Sequence, residues 1–450
     1  MSSPAETTGE QSRLHRSLGP GTAAALVIGN TIGSGIFTSS GFIARDVGSP
    51  TRMLALWLIG GLIAMAGALS YAELGAELPE AGGEYVYLRE AFGPLVGFLS
   101  GWTSVAVGFS GAIAAAMIAF AGYVQAIVPA LHIGAFSTKA IALGALWSIT
   151  LIHCSGLRAG ATAQRGLAAI TVAAIAIVTI TGFLFGHGNL HNFTTSMPVR
   201  GDSAVSLILV LYAYSGWNAA AYVAGEVEAP GRTLPLALVG GTASVMALYL
   251  ALNAMYLYAL PISAMSGVLA IAEKAMVALF GSFAARLLGA ILTLTILGSG
   301  SAMVLAGPRV YFAMARDRLL PALGVVHPVR GTPARAIIAQ SIWASVLILF
   351  FSTFEPVIVY TGFAVTLFTA LAVVALIVIR RGRPDLPRPF VTPGYPWLPA
   401  AYIAVTIWIL CYTVASRPME TALGALTIAA GVPLYLLARA LNRPELKRSD

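Results

Sequence analysis

Between Glu90 and Asp202 the chain contains no aspartate or glutamate. Apolar runs of membrane-crossing length follow one another through that stretch, separated by only a few polar residues. A soluble fold cannot cover its surface with such a segment. In hydrocarbon, every backbone N–H and C=O must be paired within the protein, which leaves helices or closed barrels. The runs have the length of spanning helices, so the chain is expected to be an all-α membrane protein. Composition agrees: 58% of residues are hydrophobic and 10% charged, against about 25% charged in soluble domains. Residues 1–16 are polar with no apolar stretch beside a cleavage site, so no signal peptide is expected.

A spanning helix needs about 20 mostly apolar residues. Twelve segments qualify, at roughly 17–43, 53–76, 92–127, 138–155, 163–186, 203–225, 234–260, 284–314, 335–353, 356–379, 397–415 and 419–440. Placing both termini in the cytoplasm leaves only Arg45, Arg52, Lys139, Arg200, Lys274, Arg286 and Arg417 outside, among 26 Lys and Arg. That asymmetry is the positive-inside pattern of a plasma or inner membrane protein. It accounts for the net charge of +8 through loops that face anionic lipid, without a nucleic-acid partner.

No Asp or Glu falls in the middle of a proposed span. This argues against a membrane enzyme, which needs ionisable groups at depth. His153 ends the fourth span beside Cys154 but with no Asp or second His, and reads as structural. No metal, P-loop or dinucleotide motif occurs, so no catalytic residue, metal or cofactor is expected. Cys154 and Cys411 lie in or beside apolar segments and read as two buried thiols.

Two stretches break the helical pattern. IGNTIGSGIF (28–37) sets Gly29, Asn30, Gly33, Ser34 and Gly35 inside the first span. YAYSGWN (212–218) interrupts the sixth, and each of these spans opens a set of five. Paired interruptions in corresponding positions point to a transporter binding site. A half-helix that starts at a break directs free N–H groups at the gap and suits a carboxylate. One that ends there exposes carbonyls, which suit an ammonium group. The competing reading is close helix packing through small residues, the role expected of Gly60, Gly61, Gly240 and Gly241.

Four stretches carry a family resemblance: IGSGIF (32–37), YAELGAELPEAGGEYVYLREAFGP (71–94), AYSGWN with GEVEAPGRTLP (213–218 and 225–235), and PRVYFAMARDRLLP (308–321). Together they resemble the amino acid–polyamine–organocation (APC) superfamily, especially the L-type amino acid exchangers and their bacterial relatives, over about residues 17–390. The resemblance implies twelve transmembrane helices in a five-plus-five inverted repeat with broken first and sixth helices, plus two C-terminal helices. The chain then divides into an N-terminal tail (1–16), two five-helix repeats (17–186 and 203–379), a cytoplasmic linker (380–396), the last two helices (397–440) and a C-terminal tail (441–450).

The resemblance also assigns roles. The backbone of Gly33, Ser34 and Gly35 receives the substrate carboxylate, flanked by Ile32 and Ile36. Carbonyls near Tyr212, Ala213 and Ser215 receive the amino group, and Tyr212 closes over the substrate. Trp217 and Asn218 support the broken segment, although Trp217 reads equally well as a packed aromatic. Many relatives carry a lysine in the fifth span; aligning Gln164 and Arg165 puts Thr171 there, and a hydroxyl cannot supply that charge. Coupling through a lysine is therefore in doubt, whereas exchange needs no coupling ion. Residues 128–137 lack the cysteine by which animal exchangers bind an ancillary glycoprotein, so no disulfide-linked partner is expected.

Glu226, at the end of the sixth span, is a gate candidate that could pair with Arg309 or Arg316. Glu73, Glu77, Glu80 and Glu84 form either a solvated loop or a set of pairs to Arg158, Arg316 or Arg318. The segment 380–397, rich in Pro and Arg, reads as a linker. The sequence thus predicts alternating-access transport of neutral amino acids, by exchange. The alternatives are a proton- or sodium-coupled amino acid or polyamine permease and, in another class, a non-transporting membrane sensor, which should carry a soluble output domain.

Overall fold

The computed structural model describes residues 16, 18–131, 135–155, 157–317, 319, 333–351 and 353–441. The tails expected at 1–16 and 441–450 lie, apart from Arg16 and Leu441, outside these residues. Among the described residues all regular structure is helical, save one isolated bridge between Leu18 and Val227.

The first apolar segment is two helices, α1 (Pro20–Thr31) and α2 (Ser34–Val47). Pro20 opens α1 where a missing N–H removes no helical bond. The helix ends because Ile32 turns to ψ 89° and Gly33 is extended. The long α3 (Pro50–Glu77) leads through a turn at Gly82 and Gly83, both with positive φ, into the short α4 (Glu84–Phe92). The third apolar segment comprises α5 (Pro94–Thr103), a π-helical stretch (Ser104–Phe109) and α6 (Ser110–Ile127). Then follow α7 (Ala135–Ser155) and α8 (Leu157–Phe185).

In the sixth segment α9 (Ser203–Tyr214) is N-capped by Asp202, whose carboxylate accepts the Ala204 N–H at 2.8 Å. It stops before Gly216, at φ 97°, and resumes only as one turn, α10 (Ala219–Tyr222). The remaining helices are α11 (Pro230–Ala259), α12 (Ile262–Met265), α13 (Ile271–Ala306), α14 (Pro308–Arg316), α15 (Ala334–Phe350), α16 (Phe354–Gly382), α17 (Trp397–Ser416) and α18 (Pro418–Leu441).

Eight helical stretches among the described residues are long and apolar enough to cross a membrane, against twelve expected. Ala169–Phe185, Ser203–Tyr214 and Ala334–Phe350 are apolar but shorter. The sixth segment falls short because α9 stops at Tyr214. Large apolar side chains such as Leu62, Leu184, Leu426 and Leu437 stand exposed on the outer faces, as lipid contact requires. Small residues bring helices together inside: a Cβ on Gly60 would lie 2.3 Å from Val210, on Gly61 2.6 Å from Met246, and on Gly241 2.7 Å from Val27. Gly240 faces open space and does not pack as expected.

Other expectations are corrected here. Cys411 is exposed and Cys154 half-buried, so the pair are not two buried thiols. His153 is buried, with Nε2 2.7 Å from Ser301 Oγ, joining α7 to α13. The acidic residues that end α3 face the segment after α16. Arg380 donates Nε and Nη2 to Glu73 at 2.5 Å each, and the Thr392 N–H adds a third bond at 2.7 Å. Arg388 lies 3.3 Å from Glu77, Arg383 3.0 Å from Glu90, and Arg380 stacks over Tyr395 at 3.8 Å. The side chains of Arg158, Arg316 and Arg318 lie outside the described residues. The segment read as a linker is therefore a strap, starting at Arg383 beyond α16 and fastened to the end of α3.

Candidate functional site

The two breaks meet. The first broken pair of helices runs antiparallel to the second, and they are tied at three levels. At one end the Leu18 N–H donates to Glu226 O, and the Glu228 N–H to Leu18 O, both at 3.0 Å. At the other end Ser206 Oγ donates to Asp46 at 3.2 Å. In the middle the break glycines interlock. A Cβ on Gly35 would lie 2.6 Å from Ala213 Cα, and one on Gly216 would lie 2.6 Å from Asn30 O. Gly216 also needs its positive φ, which non-glycine residues adopt only with strain.

Tyr249 of α11 joins the same point. Its hydroxyl lies 2.7 Å from Thr31 O and 2.9 Å from Ala213 O, the terminal carbonyls of α1 and α9, and it accepts the Gly33 N–H. One hydroxyl proton cannot serve both carbonyls fully, so Tyr249 balances the two helix ends. Sequence reading missed this residue. Its one available signal was a tyrosine hydroxyl deep in an apolar span, where a buried O–H needs a partner.

A cavity of about 520 Å³ reaches this junction. Its wall includes Asn30, Tyr212, Ser215, Gly216, Asn218, Tyr222 and Glu226, with Ser100, Thr103 and Phe109 from the third segment and Thr361 and Phe368 from α16. Most of the wall is apolar. The hydroxyls of Ser100, Thr103 and Thr361 in this wall are buried and have no hydrogen-bond partner among the described residues.

The sequence-predicted residues separate into groups. Tyr212, Ser215, Asn218 and Glu226 line the cavity. Ile32, Gly33, Ser34, Gly35 and Ile36 are buried at the junction, and none of them lines it. Tyr212 stands between: it lines the cavity while its hydroxyl bonds Ser34. Ala213 is buried against Gly35. Trp217 packs edge-on against Tyr71 at 4.8 Å and fills the space over Gly67. Thr171 is buried on α8, away from the cavity wall. Glu226 pairs with Arg309 at 3.3 Å, so the charges of these two wall residues offset.

Glu84 was placed with a loop cluster and is instead buried in the cavity wall beside the second break. Its Oε1 accepts Asn218 Nδ2 at 2.8 Å and the Tyr71 hydroxyl at 2.9 Å. Tyr222 bonds the same carboxylate. Helix α4 lies between the crossing segments Pro50–Glu77 and Pro94–Ile127. Burial pushes the Glu84 carboxyl up to about 7, against the opposing pull of these three donors.

Comparison with known proteins completes the site's context. The amino acid permease family model matches residues 18–435. The chain is 31% identical to the serine/threonine exchanger SteT of Bacillus subtilis, covering 95% of this chain and 97% of that protein. It is 30% identical to the human large neutral amino acids transporter small subunit 2, covering 94% and 80%. It is also 30% identical to the human cystine/glutamate transporter, covering 92% and 83%. With two interlocked helix breaks beside a central cavity, in a sequence matched almost from end to end, this chain is an integral membrane transporter and belongs to the amino acid permease family.

Proposed function

We propose that the chain exchanges neutral amino acids across the plasma or inner membrane by alternating access, with both termini cytoplasmic and twelve spans arranged as two inverted five-helix repeats plus two. The observation that carries this reading is the cavity at the junction of the breaks: mostly apolar, with Glu226 offset by Arg309. With Glu226 paired to Arg309 and Glu84 occupied by its own hydrogen-bond donors, the mostly apolar wall suits a zwitterion whose side chain is uncharged. The N–H groups that open α2 at Gly33–Gly35 suit its carboxylate, and the carbonyls that close α9 near Tyr212, Ala213 and Ser215 suit its ammonium group. Movement of Tyr212 off Ser34 joins the cavity to that turn. The relatives' names agree on amino acids while differing in side chain. No disulfide-linked ancillary subunit is proposed, because residues 128–137 hold no cysteine.

Proteoliposomes test this. Vesicles preloaded with unlabelled amino acid or with buffer are given a panel of labelled amino acids. Internal substrate should accelerate uptake of neutral members several-fold. Equal uptake with empty vesicles, driven by a pH or sodium gradient, rejects exchange in favour of a coupled permease. No uptake under either condition returns the sensor alternative.

A further inference from the structure

Glu84 is a carboxylate held by neutral donors alone. Tyr71 of α3, Tyr87 of its own helix, Tyr222 of α10 and Tyr402 of α17 face it, and phenols carry no charge near neutrality. Helix α5 has no titratable side chain. The nearby cations are engaged elsewhere: Arg380 of α16 binds Glu73, Arg309 binds Glu226, and Arg89 binds Asp317 at 2.7 Å. The carboxylate also sits at a mechanical joint. The Gly82 N–H donates to Tyr222 O at 3.0 Å, and a Cβ on Gly83 would lie 2.7 Å from the Tyr222 ring. The turn that begins α4 is thus pressed onto α10, and Glu84 bonds the residue that opens it, Asn218.

We propose that Glu84 is a proton-binding positioning residue of the transport site: it exchanges a proton with water in the cavity and, through Asn218, sets how firmly the second break is held. The proposal rests on the reading of the breaks as the transport site. As a carboxylate, Glu84 accepts charge-assisted bonds, which are roughly twice as strong as neutral ones. Proton uptake forms one O–H bond and removes the charge. One oxygen then becomes a donor, and the bonds from Asn218 and Tyr222 weaken. The raised carboxyl places this change near neutral pH. The charged form restrains the break, so transport should accelerate as pH falls.

The test uses the full chain in proteoliposomes preloaded with unlabelled serine or leucine. Exchange of the labelled amino acid is measured from about pH 5 to about 9, with equal pH on both sides. The wild-type rate should rise several-fold as pH falls through about 7. Glu84→Gln keeps the shape and one oxygen that can accept from Asn218 and Tyr71 but cannot titrate; its rate should be flat and close to the wild-type acid limit. Tyr71→Phe removes a donor that favours the charged form, so its midpoint should move to higher pH by about one unit. A merely structural Glu84 would not move a midpoint. If Glu84→Gln keeps the wild-type profile, or Tyr71→Phe leaves the midpoint in place, the proposal is overturned while exchange stands. Should Glu84→Gln fail to fold, the Tyr71→Phe midpoint decides alone. If no amino acid raises the wild-type thermal midpoint at any pH, the transport-site reading fails, and the proposal with it.

Discussion

Replacing Gly35 by alanine measures how tightly the two breaks are locked. The added Cβ would lie 2.6 Å from Ala213 Cα, 2.8 Å from Ala213 Cβ and 3.2 Å from Ala213 N. Carbon atoms in contact prefer about 3.5–4.0 Å, so α2 and α9 must separate there by about 1 Å. The obstruction is backbone, which cannot rotate away as a long side chain can. Overpacking of this kind costs about 1–3 kcal/mol. Separation also strains Tyr249, whose hydroxyl meets Thr31 O and Ala213 O across the same junction, and a weakened hydrogen bond adds about 1 kcal/mol. Gly35→Ala should therefore lower the thermal midpoint in detergent and slow exchange, with most of the protein still inserted. Adding Ala213→Gly removes the 2.8 Å clash but not the one with Cα, so it should restore part of the loss. Unchanged midpoint and rate in Gly35→Ala would refute the interlocked junction. Full rescue by Ala213→Gly would show that the side chain, not the backbone, sets the approach.

Other measurements reach the rest of the structure. Glu73→Gln leaves Arg380 without its charged partner in a pair whose carboxylate is buried and whose guanidinium is mostly so. It should cost about 3–5 kcal/mol, read as a large fall in thermal midpoint that Arg380→Met in the same chain partly reverses. Tyr249→Phe removes the bridge between the breaks at about 0.5–1.5 kcal/mol per bond; exchange should slow several-fold with little change in expression. Stability should also report Glu84. Its carboxyl is raised from 4.5 to about 7, so the folded state disfavours the charged form. The stability it contributes is complete below about pH 4.5 and falls as pH rises to about 7. At about 1.4 kcal/mol per unit the loss approaches ~3 kcal/mol, and Glu84→Gln should abolish that part of the pH dependence in thermal melts.

Much of this was legible in the sequence because lipid leaves few options. The apolar runs gave the helical class, and Gly33 and Gly216 marked the two places where helix geometry fails. What the sequence could not give was which atoms meet across the chain. Gly35 and Ala213 are ordinary small residues until the antiparallel pairing places one on the other. Tyr249 read as another aromatic in an apolar span. Glu84 shared a stretch with Glu73, Glu77 and Glu80, yet Glu73 and Glu77 turn to the strap and Glu84 turns to the cavity. Helical phase separates residues that share a segment, and the turn at Gly82 and Gly83 resets that phase. The span count diverged for a related reason: composition is blind to a helix that stops, so the segment 203–225 read as one span although α9 ends at Tyr214.

The ties at the two ends of the paired broken helices differ in kind. Leu18 is stitched to Glu226 and Glu228 by amide hydrogen bonds alone. The opposite end, around Asp46, belongs to an ionic cluster in which Arg45 pairs with Asp46 at 2.9 Å and Arg417 with Glu355 at 2.6 Å. Dissolved salt screens partly exposed charges and leaves amide pairs almost untouched. A pair of rods pinned at both ends opens toward whichever pin yields. Ionic strength on the Asp46 face therefore acts on the charges that position Asp46 for its bond from Ser206, while the amide bonds of Leu18 respond little.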